Sequence, residues 1–96
     1  MIHITVHSAM YIADALGGRT IQISLNDNAD ISVLFAHLSE TYGEAFRERI
    51  YKKDGSVKDG FFSVLHNGRN IFAFDGFHCK LKDGDNVVIL PAISGG

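Results

Sequence analysis

Residues 30–43 read DISVLFAHLSETYG, and this stretch predicts the main helix of the protein. Its large apolar side chains fall at intervals of three, one and three residues, which places them on one stripe of an α-helix: Ile31, Leu34, Phe35 and Leu38. Asp30 stands where an N-cap carboxylate accepts free backbone N–H groups, and Gly43 stands where a left-handed residue can end the helix. A single amphipathic helix must bury its stripe against a second layer.

The segment that follows predicts a further helical turn or two. Residues 44–51 read EAFRERIY, and Phe46 and Ile50 are four apart, as two side chains on one helix face are. We therefore expect this segment to extend the helical layer.

Strand patterns lie on both sides of the helix. In the two segments before it, apolar and polar residues alternate with a period of two, at Ile2, Ile4 and Val6 and at Ile21, Ile23 and Leu25. The glycines of LGGR, residues 16–19, predict the turn between these strands. After the helix, FFSVLH (61–66) and NVVIL (86–90) predict strands, and Asn67-Gly68 predicts a tight turn before a short apolar piece at 70–74.

The resulting order is strand, strand, helix, strand, short piece, strand. This order predicts an α+β fold in which a mixed sheet of four to five strands packs on one main helix, with the first and last strands adjacent in the middle. That arrangement is the β-grasp. We expect residues 1–90 to form the domain and residues 91–96 to form a flexible tail ending in Gly-Gly, because Pro91 has no N–H for a further ladder bond.

Composition excludes several classes of function. The 96 residues carry a net charge of -2, so there is no basic excess to attract nucleic acid. The single cysteine, Cys79, cannot form an internal disulfide and favours a reducing compartment. No apolar stretch approaches the length of a membrane span, and no signal peptide is recognisable. We expect a cytoplasmic protein with no membrane partner.

Histidines and the cysteine offer little chemistry. His3 and His7 lie four residues apart on one strand, too far for one metal ion, so we predict no metal site. His66 is expected to be half-buried and to serve packing. Adjacent residues His78 and Cys79 point apart on an extended piece, which argues against a nucleophilic pair.

The chain resembles the ubiquitin-like sulfur carriers, which include the small subunit of molybdopterin synthase (MoaD type) and the thiamine carrier (ThiS type). The resemblance rests on LKDGDNVVILPAISGG at 81–96, on VLHNGRNI at 64–71 and on the helix at 30–43. The length and the segment YKKDGSVKDG at 51–60 are more similar to the longer MoaD-like carriers. Ala92 departs from the pattern, since many molybdopterin synthase subunits have a second proline there.

The resemblance implies a carrier protein rather than an enzyme, possibly the small subunit of a sulfur-transferring synthase. An E1-like adenylyltransferase would use ATP to adenylate the carboxylate of Gly96, and a sulfur source would convert it to a thiocarboxylate that donates sulfur in molybdopterin or related biosynthesis. Gly95 and Gly96, without Cβ atoms, would let the tail approach the partner's ATP closely. The chain itself would bind no cofactor.

The family's register implies a docking surface for the activating enzyme and the sulfur-accepting partner. Val64, Val87 and Ile89 are expected to face the helix. The partner-binding residues are expected to be Leu65, Val88, Leu90, Pro91 and Ile93, the first three as an apolar patch on the wet face of the sheet. An alternative function is a ubiquitin-like modifier or binding module, conjugated through the C-terminal glycine to lysine. The sequence leaves the pathway open between molybdopterin, cysteine and other products.

Overall fold

The structure, a computed structural model, describes residues 1–92. Within that range the elements, in chain order, are β1 (Ile2–Ser8), α1 (Met10–Leu16), β2 (Thr20–Leu25), α2 (Ile31–Tyr42), α3 (Glu44–Ile50), β3 (Phe62–His66), β4 (Arg69–Asn70), two 3₁₀ turns (Ile71–Ala73 and Gly76–His78) and β5 (Asn86–Pro91). No helix in this range is long and apolar enough to cross a bilayer.

The five strands form one mixed sheet in the order β2-β1-β5-β3-β4. The first and last strands are parallel neighbours, with Val6 opposite Val87, and the other pairs are antiparallel. The predicted β-grasp arrangement is therefore confirmed, with β1 and β5 in the middle of the sheet.

The core lies between the sheet and the helices. The predicted stripe of α2 is fully buried, as are Val6, Val87 and Ile89 from the central strands. Phe35 is the centre of an aromatic group, with its ring centroid 5.8 Å from that of Phe46 and 5.2 Å from that of Phe77 in edge-to-face geometry. This packing confirms the predicted face of α2 and explains why α3 is needed to close the core.

The ends of α2 follow the sequence prediction in part. The Asp30 carboxylate accepts a 3.0 Å hydrogen bond from the backbone N–H of Val33, so the N-cap is confirmed. The helix does end at Gly43, whose φ is 68°, but its ψ of -147° lies outside the left-handed helical region that we expected. The chain enters α3 at the next residue, so Gly43 acts as a sharp hinge between two helices.

The connection between β1 and β2 is not the simple turn that the sequence suggested. It contains α1, whose side chains Ile12, Ala13 and Leu16 are buried in the core. The predicted glycine turn ends this helix, because Gly17 adopts the left-handed conformation with φ 77° and its N–H bonds the last turn. The layer on the sheet thus has three helices rather than one main helix with an extension.

Pro91 is the last residue of β5, whereas the sequence predicted it as the first residue of the tail. The backbone N–H of Ala92 still donates a 3.0 Å hydrogen bond to the carbonyl of Phe61. Because the hydrogen bonds of an antiparallel pair alternate, the nitrogen of Pro91 points away from β3. On its other side the pairing with β1 has already ended, at Ser8 and Ile89. A proline therefore fits this position without the loss of a hydrogen bond.

Candidate functional site

The candidate site is the open face of the sheet, the face that carries no helix, together with the end of β5. Along β5, Val87 and Ile89 are buried, while Val88 and Leu90 are partly exposed. This is the alternation that the sequence predicted. The open face therefore presents apolar side chains from a central strand, where a solvated sheet normally has polar ones.

Leu65 and Val88 stand directly opposite each other on β3 and β5, and both are partly exposed. Val64 is fully buried, so the predicted register of β3 is correct. His7 flanks Val88 from the other side, on β1. Val88 therefore lies between His7 on β1 and Leu65 on β3, at the centre of the predicted patch.

Phe61, which lies beside the end of β5, is a residue of the open face that the sequence analysis missed. Leu90 lies opposite Ser63, and the same register carries on to Phe61 and Ala92, which are joined by the backbone hydrogen bond described above. The Phe61 side chain is 62% exposed. By the alternation of β3, Phe61 continues the face that holds Ser63 and Leu65. The sequence alone does not show which of the two adjacent phenylalanines, Phe61 or Phe62, faces solvent.

We call Phe61, Leu65, Val88 and Leu90 the docking patch. Its residues come from the adjacent strands β3 and β5 and from Phe61, the residue just before β3. Ala92 lies at the Phe61 end of the patch. Exposed apolar clusters of this kind usually mark sites where another protein binds.

Polar side chains border the docking patch on the β1 side. His7 Nε2 donates to the side-chain oxygen of Asn86 at 3.0 Å, and Thr5 donates to Gln22 at 3.2 Å. These side chains are fixed by one another across β2, β1 and β5. They form a polar rim next to an apolar centre, the usual composition of a protein interface.

The turn after β3 is held to the start of β5 by one carboxylate. Asp85 accepts hydrogen bonds from Asn67 Nδ2 at 2.9 Å, from His66 Nε2 at 2.7 Å and from the backbone N–H of Lys82 at 2.8 Å. Burial by itself raises the pKa of Asp85, but these donors outweigh burial and hold the pKa below its usual value. The network fixes the two strands of the docking patch in register, and His66 is half-buried in it, as we expected.

Of the other predicted residues, Pro91 lies in the core and three lie beyond the part of the chain that the structure describes. The side chain of Pro91 is buried, opposite Phe62, so it lies on the helix-facing side of β5 rather than with the docking patch. Ile93, Gly95 and Gly96 lie outside the described residues. The expected roles of these three residues stay predictions.

Histidine and cysteine side chains are not brought together into a reactive group. His3 Nδ1 lies 3.0 Å from Asp83 and His7 is bound to Asn86, so the two histidines of β1 have separate partners. Among residues 1–92, no group of three or more His, Cys, Asp and Glu residues is placed to hold a metal ion. The described geometry is that of a binding surface.

Comparison with known proteins identifies the family of the chain. The family model described as the ThiS family matches residues 12–96. A protein of Archaeoglobus fulgidus named as a sulfur carrier protein is 36% identical over 66 residues, which cover 69% of this chain and 73% of that protein. Small archaeal modifier protein 3 of Haloferax volcanii is 31% identical over 83 residues, covering 86% of this chain and 87% of that protein.

A solved structure of another small archaeal modifier protein has a similar fold. The solution structure of small archaeal modifier protein 1 from Methanosarcina acetivorans superposes with a TM-score of 0.80 at 25% identity, covering 100% of this chain and 98% of that one. The similarity therefore extends over the whole β-grasp domain.

Proposed function

This chain belongs to the ThiS family of ubiquitin-like sulfur carriers, and from that membership we propose that its reactive group is the carboxylate of Gly96. An E1-like adenylyltransferase activates this carboxylate with ATP. The thiocarboxylate made from it then donates sulfur to a synthase subunit in molybdopterin or related biosynthesis. The chain acts as a carrier and as the substrate of its partners.

The observation that supports this proposal is the position of the docking patch relative to the tail. Ala92, the last described residue, is bonded to the backbone of Phe61, whose exposed side chain belongs to the patch. A partner that covers Leu65, Val88 and Phe61 therefore lies beside Ala92, after which four residues of the chain follow. When extended, these residues reach about 13 Å, enough to enter a pocket beyond the docking surface.

The chemistry requires activation because a carboxylate is a poor electrophile. A free α-carboxyl has a pKa of about 3.3–3.7 and is ionised at neutral pH. Its oxygen attacks the α-phosphorus of ATP and pyrophosphate leaves, which gives the acyl-adenylate. Hydrosulfide then attacks the carbonyl carbon, AMP leaves with the original oxygen, and the thiocarboxylic acid loses its proton.

The test uses three forms of the protein: the chain ending at Gly96, the same chain with one alanine added, and the chain lacking Gly96. Each is incubated with the cognate E1-like enzyme, ATP and sulfide, and intact mass spectrometry follows the exchange of one oxygen for sulfur. Adding a residue moves the carboxyl by roughly 3.5 Å and introduces a Cβ. We expect exchange only in the form that ends at Gly96. Equal exchange in all three forms would refute the proposal.

A second function is supported by the relative named as a small archaeal modifier protein, which is 31% identical to this chain. The same activated Gly96 could be transferred to the amine of a lysine side chain, with formation of an isopeptide bond and release of AMP. Lysine-linked adducts recovered from cells would show this activity. A thiocarboxylate on the purified protein without such adducts would leave the carrier role alone.

A further inference from the structure

The far edge of the sheet carries an open strand. β2 is the outermost strand on the side away from β3 and β4, and β1 is its only neighbour in the described sheet. The N–H of Ser8 bonds the carbonyl of Arg19, so the ladder bonds of the antiparallel pair alternate from there. Thr20, Gln22 and Ser24 therefore turn their backbone N–H and C=O groups outward. These groups are placed to pair with another strand.

A groove lies at the Ser24 end of this edge. It lies between the end of β2 and α2, has a volume of about 360 Å³, and is lined by residues that include Ser24, Leu25, Val33, Ala36, His37 and Glu40. The four residues of α2 recur at intervals of three, one and three, so they form one stripe that is separate from the buried stripe. Val33 is 43% exposed, so its apolar side chain is available in the groove.

The groove has one acidic side chain among its lining residues, Glu40. Met1 also lines the groove, but its amino group is paired with the carboxylate of Asp27 at 3.3 Å, which leaves Glu40 as the charge without a partner among the described residues of the groove. A basic side chain is therefore the complement of this groove near Glu40.

We propose that this groove binds an extended segment of a partner protein, which adds as a strand to the edge of β2. Alternate apolar side chains of the segment fill the groove against Leu25, Val33 and Ala36, and a lysine or arginine at one end pairs with Glu40. Main-chain bonds to Thr20, Gln22 and Ser24 supply affinity, and the groove and Glu40 supply selectivity.

A second copy of this chain fits the groove less well than such a segment. The apolar side chains of β2, at Ile23 and Leu25, are buried in the core of their own molecule, so the β2 edge of a copy has none to place in the groove. A segment without its own core has both faces free. The inference therefore points to a linear motif in another protein.

The groove is independent of the proposed carrier function. It lies at the β2 edge, whereas the docking patch lies on β3, on β5 and at Phe61 just before β3, and β1 separates the two sites. A partner in the groove could remain bound while the tail is activated. The carrier would then recruit a second protein.

The probe for the test is a seven-residue peptide of alternating valine and threonine with a lysine at one end, added to ¹⁵N-labelled protein. We expect shifts of backbone amides at Thr20, Gln22 and Ser24 and along 33–40. The same peptide with glutamate in place of lysine should bind about fivefold more weakly, as the loss of an exposed ion pair implies. Glu40→Lys should reverse that preference, which a merely structural role of Glu40 would not do.

Two controls separate the inference from its alternatives. Ser24→Pro removes one outward N–H at an edge position that tolerates proline, and it should weaken binding while the spectrum stays folded. Val88→Asp, in the docking patch, should leave peptide binding unchanged. Absence of shifts at β2 and α2, an unchanged charge preference in Glu40→Lys, or a monomer–dimer equilibrium through β2 would each overturn the inference. Failure of Gly96 activation would leave it intact.

Discussion

His66 Nε2 and Asp85 Oδ2 lie 2.7 Å apart, with 19% and 12% of their side chains exposed. The pair ties the last residue of β3 to the residue before β5, at the end of the sheet away from Ala92. Two strands that carry the docking patch are thus clamped by a mostly buried, charge-assisted hydrogen bond.

This clamp predicts a loss of stability in acid. Burial opposes ionisation of Asp85, but its hydrogen bonds depress its pKa in the folded protein, so the unfolded chain takes up the proton at higher pH. The stability that Asp85 contributes is complete above about pH 4, which is the pKa of an aspartate in the unfolded chain. It is lost as the pH falls through the lower pKa that Asp85 has in the folded protein. Asp85→Asn should cost about 1.5–3 kcal/mol at pH 7 and reduce the acid dependence. Urea unfolding of wild type and Asp85→Asn between pH 7 and 3 measures the free energy of unfolding, and Asp14→Asn, at an exposed position, is the control. Parallel pH profiles of stability for wild type and Asp85→Asn would contradict the prediction.

Replacement of Phe35 by alanine should destabilise the core. The side chain is completely buried, and its ring meets Phe46 and Phe77 edge to face. A Phe→Ala change in such a site costs about 3–5 kcal/mol, a large share of the roughly 5–15 kcal/mol that stabilises a small domain. Chemical denaturation should show it. Phe74→Ala, at a side chain that is 59% exposed, should change stability by less than about 1 kcal/mol.

A charge in the docking patch should prevent binding of the activating enzyme without unfolding the protein. Leu65→Glu, Val88→Asp and Phe61→Glu place a carboxylate where a partner would bury it. Each should weaken affinity at least about tenfold, as central interface residues do. Titration calorimetry with the E1-like enzyme gives the affinity, and circular dichroism checks the fold. Ala45→Glu, at an exposed position of α3 in the helical layer, is the matched control. Wild-type affinity in a folded Val88→Asp protein would mean that the partner binds elsewhere.

The turn between β3 and β4 should not tolerate a side chain at its second residue. Gly68 has φ 86° and follows Asn67 with φ 50°, the pattern of a turn that needs two left-handed residues. Gly68→Ala should cost about 1–2 kcal/mol because of this conformation alone, since no atom lies within 4 Å of the added Cβ. Gly18→Ala, at a glycine without positive φ, serves as control in thermal unfolding. Equal melting of the two variants would contradict the argument.

Much of the fold could be predicted because its strongest signals are periodic. The stripe of α2, the alternation of β1, β2 and β5, and the Asn67-Gly68 turn each reflect local chemistry that the folded protein keeps. The adjacency of the first and last strands was predicted from the order of the elements along the chain, which suits a sheet with β1 and β5 in the middle. The open face at Leu65 and Val88 followed from the same alternation once the register was assumed.

Helix α1 escaped prediction for a physical reason. It has seven residues, its N-cap Ala9 makes no side-chain capping bond, and its first residue, Met10, has φ 55°. So short a helix is marginal in isolation and forms because Ile12 and Leu16 are buried against the rest of the core. Tertiary contacts, which a local pattern does not contain, also fix Phe61 as exposed and Pro91 as part of β5.

The parallel pairing of β1 with β5 has a consequence for how the molecule is made. Thr5 pairs with Asn86 and Ser8 with Ile89, so the central contact of the sheet joins opposite ends of the chain. During synthesis β1 has no partner on this side until β5 has left the ribosome, and closure of so long a loop is slow. The central ladder therefore forms late, when the residues after β5 are already emerging. An enzyme that requires the assembled docking patch would then reject incomplete chains, and recognition would double as a check on folding.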